Sequence, residues 1–227
     1  MATEKELTIE TIEAVPGKGP ARSRVRVHFN GGEALELPRE LVLLLGWGPG
    51  ERVTAREVER ARRRGEALEA REHALRLLDH QARTRHELQA RLEQAGYSER
   101  AVRFALVWCR LRGFLDDRRF AQSWVASRLS RPEYGSFRIC HELIQKGVDA
   151  ALARAVVAEA LPPEEELERA VAAGRRRLGP RRASGEPLST AESVKLVRYL
   201  AGRGFPYAIA REAVARLGGE LLPDEAS

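Results

Sequence analysis

Two adjacent carboxylates, Asp116 and Asp117, are the first candidates for chemistry in this sequence. Paired carboxylates can transfer protons in catalysis or hold a divalent cation. The same residues also suit a helix start, with Asp116 as the N-cap and Asp117 in the first turn, where the helix dipole favours negative charge. We favour capping over chemistry, because an N-cap alone contributes about 0.5 to 2 kcal/mol of stability.

Two His-Glu pairs resemble the start of a zinc-protease helix, in which a second His follows four residues after the first. The pair His141-Glu142 has Gln145 at that position, and the pair His86-Glu87 has Ala90. Each pair therefore lacks its second ligand, and the sequence predicts no metal site.

Gly46 to Gly50 superficially resembles a phosphate-binding loop. Glu51 follows it, however, where a P-loop requires Lys and then Ser or Thr. Cys109 and Cys140 each lie in an apolar neighbourhood without a second sulfur nearby, which is typical of core cysteines. We therefore expect no cofactor, and we expect that the chain is not an enzyme.

Five arginines lie within eight residues: Arg175, Arg176, Arg177, Arg181 and Arg182. Cations near the C-terminus of a helix are favoured by the helix dipole, which is a purely structural explanation. However, three consecutive arginines cannot all face one neighbour, and the last two follow the predicted helix end. Two interpretations stay open: support of the helix, or binding of an anion such as phosphate or an acidic partner surface.

The middle of the chain contains a second set of candidates for contact with a partner protein or DNA. They are Arg118, Arg119, Arg128, Arg131, Tyr134, Phe137, Arg138 and Lys146. For the arginines that flank the first helix of this region, a solvated helix face is the simpler explanation. The two aromatic residues stand beside arginines, a combination typical of side chains that stack on bases or anchor a partner.

The composition limits the fold and the class of function. The 227 residues are 43% apolar but only 6% aromatic, so the core must come mainly from Leu, Ala and Val, which favours helices over an all-β fold. No apolar run approaches the roughly 18 residues of a membrane span, and the first residues lack the features of a secretion signal. We expect a cytoplasmic protein without a membrane partner. Its net charge of +6 permits an anionic partner.

The first residues are predicted to form a small β-meander. Leu7 to Val15 alternates in polarity, except for a step between two isoleucines that a β-bulge would accommodate. Further strands are predicted at Arg24 to Phe29 and at Glu33 to Leu37. The turn between them contains Asn30-Gly31, which accepts the positive φ values of a hairpin.

Helical signals begin at Pro38, which suits the first turn of a short helix through Leu45. This helix completes an N-terminal segment at residues 1–54. Residues 55–71 are predicted to form a connecting helix, which starts with a capping box between Thr54 and Glu57.

The remaining sequence contains a threefold repeat anchored on glycine. Gly96, Gly147 and Gly204 follow one another at intervals of 51 and 57 residues. Apolar residues lie eight and four positions before each glycine and directly after it: Leu88, Leu92 and Tyr97, then Ile139, Leu143 and Val148, then Leu196, Leu200 and Phe205. This pattern is typical of a helix that ends at a left-handed glycine and packs against the next helix.

Each anchored helix has another helical segment before and after it, so the repeat unit is predicted to contain three helices. We place the three units at residues 72–115, 116–162 and 163–218, followed by a disordered tail at 219–227. The predicted fold is therefore mainly α: tandem three-helix repeats in an elongated and curved array, preceded by the β-meander and helix. We expect a monomer.

Several motifs between residues 74 and 160 occur together. They are Ala74-Leu75-Arg76-Leu77-Leu78, Thr84-Arg85-His86-Glu87-Leu88, Arg112-Gly113-Phe114-Leu115-Asp116-Asp117, His141-Glu142-Leu143 and Lys146-Gly147-Val148. In this combination the chain closely resembles the RecX family of recombination regulators, more weakly in the third unit. The resemblance implies a protein that binds the RecA filament along its groove and inhibits its ATPase, strand-exchange and coprotease activities. It also implies a role in DNA repair, recombination and the SOS response.

A direct DNA-binding module is the alternative that stays open. In that case the helical units would dock on the phosphates of single- or double-stranded DNA and would displace RecA only indirectly. Affinity for bare single strands comparable to the affinity for the assembled filament would favour this alternative.

Overall fold

The computed structural model describes residues 6–15, 24–179 and 187–219. The strands are β1 (Glu6–Val15), β2 (Arg24–Phe29), β3 (Ala34–Pro38) and β4 (Arg52–Thr54). The helices are α1 (Arg39–Leu45), α2 (Ala55–His80), α3 (Arg85–Gln94), α4 (Glu99–Leu111), α5 (Asp117–Leu129), α6 (Ser136–Gln145), α7 (Ala150–Ala160), α8 (Pro163–Leu178), α9 (Thr190–Gly202) and α10 (Tyr207–Arg216). The predicted class, mainly α with a small N-terminal β segment, is confirmed. Arg181, Arg182 and the tail from residue 220 lie outside the described residues.

The strands form one antiparallel sheet in the order β3-β2-β1-β4. The register of β1 against β2 shifts between Ile9 and Thr11, which confirms the predicted bulge. The prediction of a three-stranded meander was incomplete, because Arg52–Thr54 is a fourth strand that pairs with the first residues of β1. Three residues are too few to show an alternating pattern, so this strand has no clear signal in the sequence.

Helix α2 is one continuous helix of 26 residues, whereas the sequence predicted a connecting helix over 55–71 and a new helix from residue 72. The predicted capping box of Thr54 and Glu57 starts it. The sequence around residue 71 contains neither glycine nor proline to interrupt it. The first part of α2 packs Val58 into the core of the sheet, and the second part packs Ala74 into the core of α3 and α4.

The contacts divide the chain into two compact units, residues 1–82 with 88–115 and residues 83–87 with 116–227. The first unit contains the core of the sheet and the core shared by α2, α3 and α4. The second unit contains one core formed by α5, α6 and α7 and another formed by α8, α9 and α10. Each group of three helices therefore has a hydrophobic core of its own.

The apolar anchors of the repeat occupy equivalent places in the three helical cores. Those on the middle helix of each group, α3, α6 and α9, are at most 3% exposed: Leu88, Leu92, Ile139, Leu143, Leu196 and Leu200. Val148 and Phe205 are also buried, and Tyr97 is half-buried. The middle helix thus supplies the centre of each core.

The three middle helices end in the same hydrogen-bonded turn. The φ angles of Gly96, Gly147 and Gly204 are 86°, 81° and 86°, in the left-handed region that other residues avoid. The next N–H donates to the carbonyl five residues back: Tyr97 to Leu92 at 3.3 Å, Val148 to Leu143 at 3.1 Å and Phe205 to Leu200 at 3.2 Å. This Schellman geometry turns the chain so that the residue after glycine packs back on its helix.

Candidate partner-binding surfaces

The start of α3 lies directly against the end of α6. The buried hydroxyl of Thr84 donates to the carbonyl of Lys146 at 2.6 Å and accepts from the N–H of Glu87 at 3.1 Å. The ammonium of Lys146 contacts the Glu87 carboxylate at 2.9 Å. A Cβ added to Gly147 would lie closer than 3.0 Å to His86. The two helix ends therefore approach so closely that a larger residue than glycine would force them apart.

The start of α6 meets the end of α9 in a similar way. The N–H of Gly135 donates to the carbonyl of Arg203 at 3.1 Å, and the N–H of Phe137 donates to the carbonyl of Gly204 at 2.9 Å. A Cβ added to Gly135 would lie closer than 3.0 Å to backbone atoms of Gly204 and Phe205. In both junctions, the first residues of one middle helix thus bond to the carbonyls at the end of the next middle helix.

The two aspartates considered for catalysis are both helix caps in the structure. Asp116 is the N-cap of α5, where its carboxylate accepts from the N–H groups of Arg118 and Arg119 at 2.9 and 3.0 Å. Asp117 lies in the first turn of the same helix, and its carboxylate accepts from the N–H of Arg85 at 2.8 Å. Asp117 therefore also caps α3, a helix that lies 32 residues earlier in the sequence.

A buried glutamate has the equivalent role in the next group of helices. Glu166, in the first turn of α8, accepts from the N–H of Ser136 at the start of α6, at 2.6 Å. Burial raises the pKa of the Glu166 carboxyl, and the hydrogen bond from Ser136 opposes this rise only in part. Arg169, one turn further along α8, donates to the carbonyls of Leu129 and Arg131.

Two of the predicted partner-binding residues, Arg128 and Arg138, bind the same carboxylate within the second group of helices. Glu142 of α6 accepts from Arg128 Nε at 2.6 Å, from Trp124 Nε1 at 3.3 Å and from Arg138 Nε at 3.3 Å. Partial burial alone raises the pKa of the Glu142 carboxyl. The hydrogen bonds from Arg128, Arg138 and Trp124 and the charge of Arg128 outweigh it, so this pKa lies below its usual value.

The cations of this cluster also lie over aromatic rings. The guanidinium of Arg128 is 4.0 Å from the centre of the Trp124 ring, and Lys146 Nζ is 4.7 Å from the same ring. The guanidinium of Arg138 is 4.1 Å from the centre of the Tyr134 ring. Three of the predicted anion-binding side chains are therefore engaged within the chain, and a partner would have to compete for them.

Other predicted residues of this region reach the surface. Arg118 Nη2 is 2.8 and 2.9 Å from the two carboxylate oxygens of Glu159, so its charge is paired. Arg119 and Arg131 are exposed, and Phe137 at the start of α6 is 64% exposed. A side chain as large and apolar as Phe137 is suited to anchoring a partner.

Arg175, Arg176 and Arg177 are exposed in the last turn of α8. The guanidinium of Arg177 is 5.5 Å from the centre of the Tyr199 ring, and the guanidinium of Arg203 is 5.2 Å from it. This grouping of guanidinium groups around a half-buried aromatic ring can hold phosphate or carboxylate groups. Tyr199 and Arg203 were not predicted as members of the cluster, although their spacing of four residues places them on one side of α9.

Helix α4 carries an apolar surface that sequence reasoning missed. Phe104, Val107 and Leu111 are 42%, 44% and 76% exposed, while residues such as Ala105 and Cys109 on the other side of α4 are buried. One apolar face of about 100° is enough for packing against a single core. The additional apolar residues in α4 are the signal that could have revealed this surface.

The described residues provide little for catalysis. Burial raises the pKa of the Cys109 and Cys140 thiols, which reduces the reactive thiolate. Within residues 6–15, 24–179 and 187–219, no three His, Cys, Asp or Glu side chains are grouped so that they could hold a metal ion. Among the helices of this described part, none is long and apolar enough to span a membrane.

Comparison with known proteins matches each of the three groups of helices. Family models described as the first, second and third three-helix domains of RecX match residues 70–109, 116–157 and 164–214. A regulatory protein RecX from Corynebacterium efficiens is 36% identical over 158 residues, which cover 69% of this chain and 75% of that protein. A regulatory protein RecX from Chlorobaculum tepidum is 33% identical over 156 residues, which cover 69% of this chain and 92% of that protein.

Solved structures show the same fold. A crystal structure of regulatory protein RecX superposes with a TM-score of 0.70 and covers 92% of this chain and 99% of that chain, at 21% identity. The structure of RecX from Lactobacillus salivarius superposes with a TM-score of 0.60 and covers 67% of this chain and 96% of that chain.

Proposed function

The chain belongs to the RecX family, and from this membership we propose that it binds the RecA nucleoprotein filament along its groove and inhibits it. Binding lowers ATP hydrolysis, strand exchange and coprotease activity, and it limits filament growth. The protein acts in the cytoplasm, in the control of recombination, DNA repair and the SOS response. It acts by binding as a monomer and is not an enzyme.

The observation that carries this proposal is the repeated junction between helix ends. Thr84 bonds to the end of α6, and Gly135 and Phe137 bond to the end of α9. In a protein of tandem helical units, each unit has a surface of its own that can contact a partner. Such a series of surfaces is suited to a polymer whose subunits also recur, because one chain can contact more than one subunit.

Inhibition requires that the chain binds one state of the filament more tightly than another. A ligand shifts a conformational equilibrium only by its difference in affinity for the two states. A chain that contacts neighbouring subunits gains affinity for the arrangement in which it reaches both of them. It therefore holds those subunits in one geometry and opposes the changes that accompany ATP turnover and subunit addition.

The test is a titration of the purified chain into RecA filaments on single-stranded DNA. ATP hydrolysis and filament length are followed in the same samples, the second by electron microscopy. We expect both to fall together as the chain reaches the concentration of its binding sites. Filaments that keep their full length and their full ATPase activity at saturating chain would refute the proposal.

The exposed arginines of α8 provide a test of the electrostatic contribution. Arg175, Arg176 and Arg177 are replaced by Gln together, with Arg62 and Arg63 of α2, which pair with Glu59, as the control positions. We expect the first variant to need more protein for half-maximal inhibition, with a weaker dependence on salt, and the control to change little. Equal inhibition by the α8 variant would remove these arginines from the interface.

Direct binding to DNA is the second candidate, and the cluster of guanidinium groups around Tyr199 is the observation that favours it. Arginine beside an aromatic ring is typical of sites that bind single strands. The two functions are distinguished by measuring the dissociation constant for bare single-stranded DNA and for the RecA filament at one salt concentration. Similar values favour DNA binding, and a clear preference for the filament favours the RecA partner.

A further inference from the structure

Helix α4 presents an exposed apolar stripe that its own core does not use. Phe104, Val107 and Leu111 recur at intervals of three and four residues, so they lie on one side of the helix. Their exposed fractions are 42%, 44% and 76%. The stripe is about 10 Å long, at a rise of 1.5 Å per residue. Phe114, which is 50% exposed, follows the end of the helix.

Helix α4, which carries the stripe, is anchored to the rest of its unit through its opposite face and its first residues. Ala101, Ala105 and Cys109 are fully buried in the core with α2 and α3. At the start of α4, Ser98 donates to the Glu66 carboxylate through its N–H at 2.6 Å and through its hydroxyl at 2.7 Å. The stripe is therefore a preorganised surface, and a partner that docks there has little ordering entropy to overcome.

The surroundings of the stripe are strongly basic. Arg100 lies one helical turn before Phe104, and Arg103 and Arg110 lie along one edge. Glu99 is the one acidic residue of α4, and it is already paired with Arg103. Within the part of the chain that the structure describes, the guanidinium groups of Arg100 and Arg110 have no ion-pair or hydrogen-bond partner.

The other edge of the stripe is aromatic and is already covered by side chains of this chain. The ring of Trp108 is stacked with Phe114 at 5.8 Å between ring centres. The guanidinium groups of Arg71 and Arg112 lie 5.2 and 5.6 Å from the centre of the Trp108 ring. A base has little free face of Trp108 on which to stack, and Val107 and Leu111 are aliphatic and cannot stack at all, which leaves Phe104 as the one ring of the stripe.

The charge and spacing of the stripe define its occupant. A second copy of this chain would bring a second set of arginines against the first, and such like charges oppose association. A segment with apolar residues edged by Asp or Glu would instead bury the stripe and pair with Arg100 and Arg110. Apolar residues at intervals of three, four and seven positions are matched by a helix with the same spacing. The complementary partner is therefore an acidic amphipathic helix of another protein.

We propose that the stripe of Phe104, Val107 and Leu111 is a docking surface for an acidic amphipathic helix of the RecA subunit, an inference that rests on the proposed function. The apolar residues supply the contact area, and Arg100 and Arg110 select the acidic edge. This surface belongs to the first group of helices, whereas the basic cluster at the end of α8 belongs to the third.

The first test removes the apolar contact. The double variant Val107→Ser/Leu111→Ser is compared with Leu43→Ser/Leu44→Ser, whose leucines on α1 are 68% and 67% exposed but lie outside the stripe. Circular dichroism and thermal unfolding establish that both variants fold as the wild type does. We expect the stripe variant to bind fluorescent RecA filaments on single-stranded DNA about tenfold more weakly or worse, and the control to stay within about twofold.

The second test reverses the charge. Arg100→Glu/Arg110→Glu should weaken filament binding by a similar factor, while Arg60→Glu/Arg64→Glu on α2, which changes the net charge equally, should have a much smaller effect. Equal binding by the wild type and both stripe variants would overturn the docking surface and leave the proposed function intact. A wild type that does not bind filaments would remove the proposed function itself. Stripe variants that lose binding only to oligo(dT) or to phosphatidylglycerol vesicles would also overturn the inference, because the surface would then serve DNA or lipid.

Discussion

Replacing Gly135 by Ala tests the close junction between α6 and α9. The φ angle of Gly135 is −89°, which any residue can adopt, so the substitution introduces no backbone strain of its own. The added Cβ would lie closer than 3.0 Å to backbone atoms of Gly204 and Phe205, whereas ordinary contacts lie at 3.4 to 4 Å. The helix ends must therefore separate by about 1 Å, since atoms of this kind are at their best separation near 3.5 to 4.0 Å.

This separation determines the size of the effect. Overpacking a tight site costs about 1 to 3 kcal/mol. A shift of this size also breaks the bonds from Gly135 to Arg203 at 3.1 Å and from Phe137 to Gly204 at 2.9 Å, each of which contributes about 0.5 to 1.5 kcal/mol. The lower conformational entropy of alanine in the unfolded chain offsets about 0.4 to 1 kcal/mol of this destabilisation. We expect Gly135→Ala to lower the free energy of unfolding by about 1 to 5.6 kcal/mol, the sum of these terms.

Urea unfolding, followed by circular dichroism, measures this loss, and amide hydrogen exchange at Phe137 locates it. The matched control is Gly202→Ala in α9, where a Cβ would meet nothing within 4 Å. It should be neutral or stabilise by no more than about 1 kcal/mol, because alanine is the better helix former. A Gly135→Ala protein as stable as the wild type, with its Phe137 amide still protected, would refute the junction.

Three further predictions concern charged groups. Asp117→Ala should lower the free energy of unfolding by about 0.5 to 2 kcal/mol and speed amide hydrogen exchange at Arg85, because the cap on α3 is lost. Unchanged exchange at Arg85 would contradict this prediction. Glu142→Gln should lower the free energy of unfolding by about 1 to 3 kcal/mol at pH 7, because charged hydrogen bonds are lost. Since the pKa of Glu142 is lowered in the folded state, this difference, measured by urea unfolding, should shrink as the pH falls below 4.5. A difference that stays constant with pH would count against this role. The pKa of Glu166 is raised in the folded state, so the contribution of Glu166 to stability should decline as the pH rises from 4.5 through that folded pKa. In urea unfolding, Glu166→Gln should abolish this decline. A variant whose free energy of unfolding depends on pH as that of the wild type does would exclude this role.

Much of the fold could be predicted from the sequence, because its signals are local. The bulge in β1 follows from one break in an alternating pattern, and the capping boxes of Thr54 and Ser189 follow from a Glu three residues later. The middle helices follow from leucines that precede a glycine at a fixed spacing. In each case the residues that determine the structure lie within one or two turns of each other.

The surface roles could not be predicted in the same way, because they depend on residues that meet only in the folded chain. Arg128 and Glu142 are 14 residues apart, and Arg118 and Glu159 are 41 residues apart. Sequence patterns show that an arginine stands in a polar region but do not show which carboxylate lies beside it. Because Arg128 and Arg118 are paired in this way, they are less available to an anionic partner than a count of arginines in the sequence suggests.

The anchor glycines show how a repeated motif can conceal different physical requirements. Gly96 and Gly147 have nearly the same φ, 86° and 81°, and both end a middle helix with the same turn. A Cβ at Gly96 would meet nothing within 4 Å, whereas a Cβ at Gly147 would collide with His86 at the start of α3. Glycine is thus required at Gly96 for the backbone conformation alone, and at Gly147 also for space. The difference arises because the end of α6 contacts the start of another middle helix. The neighbouring helix, more than the local motif, therefore determines how much stability a substitution costs.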